Sequence, residues 1–235
     1  MMRNLLALII MFLFSSTVFS QIPDSLYFSN AIKINFAQYK KESTLAFVTG
    51  DLERGQFLFD SLVQHRLIGT TFDNITLKKS SGARLKLSSV KQPLFLLTYA
   101  SWCVPNQGEI PALNKLARKY GKDVKIIVLF WDRKDKMKKL ARKFSSRITV
   151  CYAHEYYKTD TRTVAALKHT LGFPTSYFLD AERKIVNIRR CGVYTGLSKE
   201  QSQQALAANY KSFLDGLLTI TVNKDISKEH IADSD

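Results

Sequence analysis

Apolar positions along the chain change their spacing several times, and each change marks an element. Phe57, Leu58, Leu62 and Val63 recur at helical spacing, with Glu53 and Arg54 between turns, which predicts a helix from Ser43 to His65. Ile75 and Leu77 then alternate with Thr76 and Lys78. Ser80-Ser81-Gly82 makes a turn, and Leu85 and Leu87 alternate on the return, the pattern of a hairpin. Two apolar runs, Pro93 to Ala100 and Val124 to Trp131, read as buried strands. Between them Ile110, Leu113, Leu116, Ala117 and Tyr120 share one face of a helix from Val104 to Tyr120, which Gly121 stops. Strand, helix, strand at this length is a right-handed parallel unit.

A basic helix follows, with Met137, Leu140, Ala141 and Phe144 on its apolar face. Ile148 to Cys151 is a short extended segment, and Thr161 to Thr170 is helical until Gly172-Phe173-Pro174-Thr175 breaks it. Ser176 to Leu179 and Ile185 to Ile188 are strands joined by the turn Asp180 to Arg183. Ser198, with Gln201 three residues on, opens a last helix striped by Leu206, Tyr210, Phe213, Leu214 and Leu217. A parallel βαβ unit followed by an antiparallel hairpin and a helix predicts an α/β protein, a central mixed sheet flanked by helices. The expected organisation is a leader over 1–20, a helical extension over 21–70, a main domain over 71–222 and a flexible polar tail over 223–235.

The first twenty residues stand apart. Arg3 precedes the unbroken apolar run Leu5 to Phe14, and Ser15 to Ser20 is small and polar apart from Val18 and Phe19. That is the pattern of a secretory signal cut between Ser20 and Gln21. The alternative is a membrane anchor, but the run falls short of the roughly 20 residues a span needs. No Cys stands near the cut to carry a lipid, and no later segment is long enough to cross a bilayer. The expected location is periplasmic or secreted, with no stable membrane insertion after cleavage.

Charge adds a second feature. The net charge is +15, and +14 without residues 1–20, which hold one Arg and no acid. Arg133 to Arg147 alone carries eight basic residues against one acid, Asp135. The plainer reading is a solvated helix face. The sharper one is a patch for acidic partners or an anionic membrane surface. Secretion and the lack of any recognition motif argue against nucleic acid.

Three cysteines, Cys103, Cys151 and Cys191, is an odd number, so in an oxidising compartment at least one is free, pairs outside the chain or does chemistry. Cys103 lies in Tyr99-Ala100-Ser101-Trp102-Cys103-Val104-Pro105-Asn106, where a strand hands over to a helix. A thiol at that junction faces the unpaired N–H groups of the helix's first turn, which favour the thiolate, the nucleophilic form. The alternative is an inert buried Cys.

From about Phe72 to Thr195 the chain resembles the TlpA/ResA-like family of extracytoplasmic thioredoxins. The likeness rests on the leading hairpin, Ala100-Ser101-Trp102-Cys103-x-Pro105, Glu109-Ile110-Pro111, Gly172-x-Pro174-Thr175, Phe178-Leu179-Asp180 and Gly192. It implies a thioredoxin fold and thiol–disulfide exchange, with Cys103 as nucleophile and Glu109 handling protons. It also implies that Trp102, Phe173, Pro174 and Thr175 form the substrate surface, with Pro174 in a cis-proline loop facing the thiol. Two positions depart from the pattern. Asn106 stands where the family has its second Cys, and Arg183 where it has a turn Gly.

Without that second Cys, a mixed disulfide on Cys103 must wait for an outside thiol. The expected function is therefore exchange through one thiol, on protein thiol or disulfide substrates or an external thiol reductant, with no bound cofactor. The alternative is a redox-inactive thioredoxin-fold protein that binds peptides or a partner protein. Cys191, beside the rim Gly192, is a candidate resolving cysteine if its Cα lies within about 7 Å of that of Cys103; the plainer reading is an unpartnered strand end. Cys151 is expected to be packed, and its spacing to His154 is half a zinc site with the other half missing, so no metal is expected. Glu109 reads equally as a plain first-turn acid. Peroxiredoxins carry Thr or Ser three residues before their reactive Cys; Ala100 stands there, which argues against peroxide reduction.

Overall fold

Strand β3 (Leu94–Tyr99) is apolar at five of six positions because both of its faces are covered; all six residues are buried. It lies between β4 (Lys125–Phe130), parallel to it with Leu94 opposite Lys125 and Tyr99 opposite Phe130, and β6 (Thr175–Leu179), antiparallel with Thr98 opposite Thr175. In this computed structural model the description covers residues 26–102, 108–168, 171–172, 174–190 and 199–232, apart from the side chains of 199 and 221–232. The remaining strands are β1 (Thr76–Lys79), β2 (Arg84–Lys86), β5 (Thr149–Tyr152) and β7 (Ile185–Arg190). The sheet runs β2-β1-β5-β4-β3-β6-β7, with β3 and β5 both parallel to β4 and the other pairings antiparallel. This mixed sheet with helices on both faces is the α/β architecture that the hydrophobic pattern predicts, arranged as the thioredoxin fold that the family resemblance implies.

The period of two along each strand sorts the core into two layers. Leu94, Leu96, Ile127, Leu129, Tyr177 and Leu179 face one way. They meet α1 (Phe28–Val48), α2 (Leu52–Leu62) with its closing π turn Val63–Leu67, and α5 (Thr161–Leu167). Phe95, Leu97, Tyr99, Ile126, Val128 and Phe178 face the other way. Their partners are α3 (Glu109–Tyr120), α4 (Lys134–Ala141) and α6 (Lys199–Ala232).

The N-terminal helices differ from the expected single helix over Ser43–His65. Gly50 takes φ +73 and Asp51 caps the next helix, its carboxylate accepting from the Arg54 amide at 2.8 Å. Two antiparallel helices result, and they share the core of the sheet. Phe28 stacks on Phe72 at 5.5 Å, and both meet the Tyr177 ring edge-on. Burying an aromatic of this size stabilises by about 1.5–3 kcal/mol.

Other boundaries move as well. Helix α5 ends at Leu167, because Lys168 is already extended, with ψ 135. Helix α6 continues to Ala232, past the Asn223 at which its polar composition predicts the end. The described part of α3 begins at Glu109, after a left-handed Gly108 with φ +87.

Arg183 takes a left-handed backbone, with φ +70. A side chain there is strained. Its guanidinium offsets the strain by donating to the carbonyls of Leu87, Gln92, Asp180 and Ala181, which ties the β6–β7 turn to the segment ahead of β3.

Gly216 lets α6 lie directly on β6. A Cβ at that position would stand 2.1 Å from the Phe178 ring, and Phe178 is itself stacked on Phe95 at 4.6 Å. Gly216→Ala should therefore destabilise the protein by about 1–3 kcal/mol, against the usual helix gain of Ala over Gly. Urea unfolding of the variant measures the difference, and a stabilised variant would show that α6 is free to shift.

Candidate functional site

The polypeptide leaves the sheet at the carboxyl end of β3, and the way it leaves defines the site. Trp131 donates its amide to the Tyr99 carbonyl at 2.8 Å, the last rung between the two parallel strands. Beyond it Ala100 is buried, and Ser101 needs a new partner for its N–H. Asp132, two residues past the end of β4 and 6 % exposed, supplies one. Its carboxylate accepts the Ser101 amide at 2.7 Å and the Ser101 hydroxyl at 2.5 Å. Trp102 then emerges, 67 % exposed.

Beneath this junction lies Glu109, the first residue of α3, with no exposed surface. Its Oε2 accepts from the Tyr99 hydroxyl at 3.1 Å. The expected first-turn acid is thus present but points into the core rather than toward water. Gly108 before it has no room for a side chain, because a Cβ there would sit 2.5 Å from the Leu206 amide nitrogen of α6.

On the other side of β3, Thr175 starts β6 directly after Pro174. The Thr98 hydroxyl bridges the backbone of Thr175, donating to its carbonyl at 3.2 Å and accepting from its amide at 3.3 Å. The Thr175 hydroxyl donates back to the Gly172 carbonyl at 2.8 Å. Thr175 is fully buried, so its side chain holds the loop in place.

A further tie comes from β7. Arg190 stands opposite Thr175 in the β6–β7 ladder. Its Nε donates to the Leu171 carbonyl at 2.9 Å, its guanidinium lies 4.1 Å from the Phe59 ring centre, and its Nη2 bonds the Tyr39 hydroxyl. One side chain thereby joins α1, α2 and the segment leading to Pro174.

Of the residues that the sequence singles out, the structure describes Trp102, Glu109, Pro174 and Thr175. Cys103, Asn106, Phe173 and Cys191 lie outside the described residues, as do the leader 1–20 and the proposed cap Ser198. Cys151 is packed within β5, and burial pushes its thiol up to about 12. No group of His, Cys, Asp or Glu able to hold a metal occurs among the described residues. No helix among them is long and apolar enough to cross a membrane. Asp132, Tyr99 and Arg190 are functional candidates that the sequence reading misses. An acid directly after an apolar strand signals Asp132; nothing in the sequence joins Arg190 to Tyr39.

Residues 68–188, about half of the chain, match the model of the AhpC/TSA family, and the chain belongs to that family. The thioredoxin-like protein YneN of Bacillus subtilis is 26 % identical over 134 residues, which span 57 % of this chain and 76 % of that protein. Among solved structures, the thioredoxin domain of a thiol-disulfide oxidoreductase from Bacteroides vulgatus is 21 % identical with a TM-score of 0.47. The match covers 62 % of this chain and 96 % of that one. A thiol-disulfide oxidoreductase from Bacteroides fragilis is 18 % identical with a TM-score of 0.44, over 61 % and 99 % of the two chains.

Asp132→Ala leaves a half-buried amide without its acceptor, which should cost about 1 kcal/mol in urea unfolding. Asp132→Asn keeps one acceptor oxygen and should recover about half of that loss. Equal stability of all three proteins would show that the Ser101 contact carries no weight.

Cys151 yields a pH prediction. Its folded value lies above the ordinary 9.0, so the neutral thiol stabilises the fold fully below pH 9. That contribution is lost as the pH rises toward about 12. At neutral pH the native protein should leave Cys151 unmodified by iodoacetamide, as read by peptide mass. Labelling as fast as in urea would contradict its burial.

Proposed function

We propose that this protein is a TlpA/ResA-like thiol–disulfide exchange protein working outside the cytoplasm through one active-site thiol, Cys103. The observation that carries the reading is the frame on either side of that residue in the chain. Before it, the Ser101–Asp132 clamp fixes the strand exit and leaves Trp102 exposed. After it, Glu109 is buried against the Tyr99 hydroxyl. A short reactive stretch between two fixed ends fits a site that must present a thiol in a defined direction. Ala100 is buried and supplies no hydroxyl three residues before Cys103, which favours exchange over peroxide reduction.

The chemistry balances without a cofactor. The Cys103 thiolate attacks one sulfur of a substrate disulfide. A Cys103–substrate disulfide forms and the other substrate sulfur leaves as a thiolate. An outside thiolate, or a second thiol of the same substrate, then attacks the mixed disulfide and frees Cys103. No net electrons are gained by the protein, so the turnover suits isomerisation or transfer to an external thiol. In this reading Glu109 handles the proton at the thiol, Trp102, Phe173 and Pro174 contact the substrate, and Asn106 cannot resolve the mixed disulfide; Thr175, expected in the substrate surface, is fully buried and supports the loop from beneath. The apolar leader supports export to the periplasm or beyond.

Alkylation of the native protein as a function of pH tests this. Cys103 should react with an apparent pKa below the roughly 8.5 of an ordinary cysteine. Cys103→Ser should abolish capture of mixed-disulfide partners, and Asn106→Cys should gain dithiol reductase activity. An ordinary pKa, with no partner captured and no gain in the Asn106 variant, would leave the peptide-binding module as the reading.

A further inference from the structure

The segment from Arg133 to Arg147 combines eight cations with one acid, and all eight are exposed. Met137, at 1 % exposure, and the buried Phe144 fix its orientation, so the charged side is held outward by the core. Among the described residues, Arg133 pairs with Asp135 at 4.0 Å. None of Lys134, Lys136, Lys138, Lys139, Arg142 and Lys143 makes an ion pair among those residues.

Lys134, Lys138 and Arg142 follow one another at four-residue spacing, where like charges repel. Asp135 in the first turn of α4 and Lys138 and Lys139 in its last turn suit the helix dipole.

Neighbouring elements extend the field. The Lys134 ammonium sits over Gly82 in the β1–β2 turn, and Arg84 and Lys86 are exposed on β2. Arg147 donates to the Arg118 carbonyl at 2.7 Å, which brings the basic end of α3 alongside. Between α4 and the Ser80–Ser81 turn lies an open hollow of about 630 Å³, with Met137 and Ala141 at its floor and Lys134, Lys138 and Arg142 around it. Asp135 also borders it.

We infer that this face, centred on Lys134, Lys138 and Arg142, docks onto the anionic headgroup surface of a lipid bilayer. The cations are spread over three elements rather than lining one strand-sized groove, which suits a plane of phosphates. Segment 133–147 exposes no ring for base stacking. The nearby exposed Tyr156 has Arg133 over its face at 4.3 Å and Tyr157 edge-on at 5.3 Å. A tyrosine beside a guanidinium suits the headgroup level of a membrane. Binding is peripheral, set by charge, and weakened by salt. The inference does not rest on the thiol chemistry.

Vesicle co-sedimentation of the full chain tests it, comparing phosphatidylcholine vesicles with and without phosphatidylglycerol. The comparison variant, Lys138→Glu with Arg142→Glu and Lys143→Glu, keeps the same N-terminus, so the leader contributes equally to both proteins. The parent should sediment with anionic but not neutral vesicles and be released near 1 M salt, where screening acts within about 3 Å. The variant should bind at least about tenfold more weakly with an unchanged melting temperature. Equal binding by parent and variant, equal binding to neutral vesicles, or binding to heparin or DNA with none to vesicles would each overturn it.

Discussion

The Ser101–Asp132 contact is the constraint on which the arrangement of this protein depends. Strand β3 is flanked by strands on both edges and covered by side chains on both faces, so its backbone is fully committed until the sheet ends. A chain leaving such a position must carry its next N–H out of an apolar environment. An unpaired amide there costs as much as a lost core methylene or more. Asp132 meets that need because it lies two residues past the end of the neighbouring parallel strand, level with the exit. The register that aligns Tyr99 with Phe130 is also what brings Ser101 to Asp132. Fold and site are thus fixed by one alignment of two strands.

The remainder of the frame is built by close approach. Gly108 and Gly216 allow α6 to touch the start of α3 and the ring of Phe178. The N-terminal helices reach the far side of the sheet and, through Tyr39, Phe59 and Arg190, support the loop ahead of Pro174. A role for the N-terminal extension follows from this contact. It is tied through Arg190 to the segment at Leu171, and its own core is continuous with that of the sheet.

Much of this was legible in the sequence because the strands are buried on both faces and announce themselves as apolar runs. The helix stripes at Leu113, Leu116 and Phe213, Leu217 are equally plain. The break at Gly50 was missed because a helical spacing of apolar residues continues across it, and only the turn chemistry of Gly50-Asp51 marks the corner. Arg183 shows the limit in the other direction. Its side chain gives no hint of a left-handed backbone, and carbonyls from Leu87 to Ala181 make that conformation tolerable. At the candidate site, Trp102, Glu109 and Thr175 could be named from motifs. Asp132 and Arg190 act through contacts with residues 31 and 151 positions away, which spacing along the chain does not reveal.

Two kinds of economy meet in one small protein. The sheet end is ordered by neutral and charged hydrogen bonds at the strand exit, whereas six cations of segment 133–147 make no ion pair among the described residues. Hydrogen exchange of the Ser101 amide tests the central claim most directly. With its proton held by a buried carboxylate, that amide should exchange as slowly as those of β3 and speed up sharply in Asp132→Ala. Exchange at the rate of an exposed loop in the parent protein would contradict it.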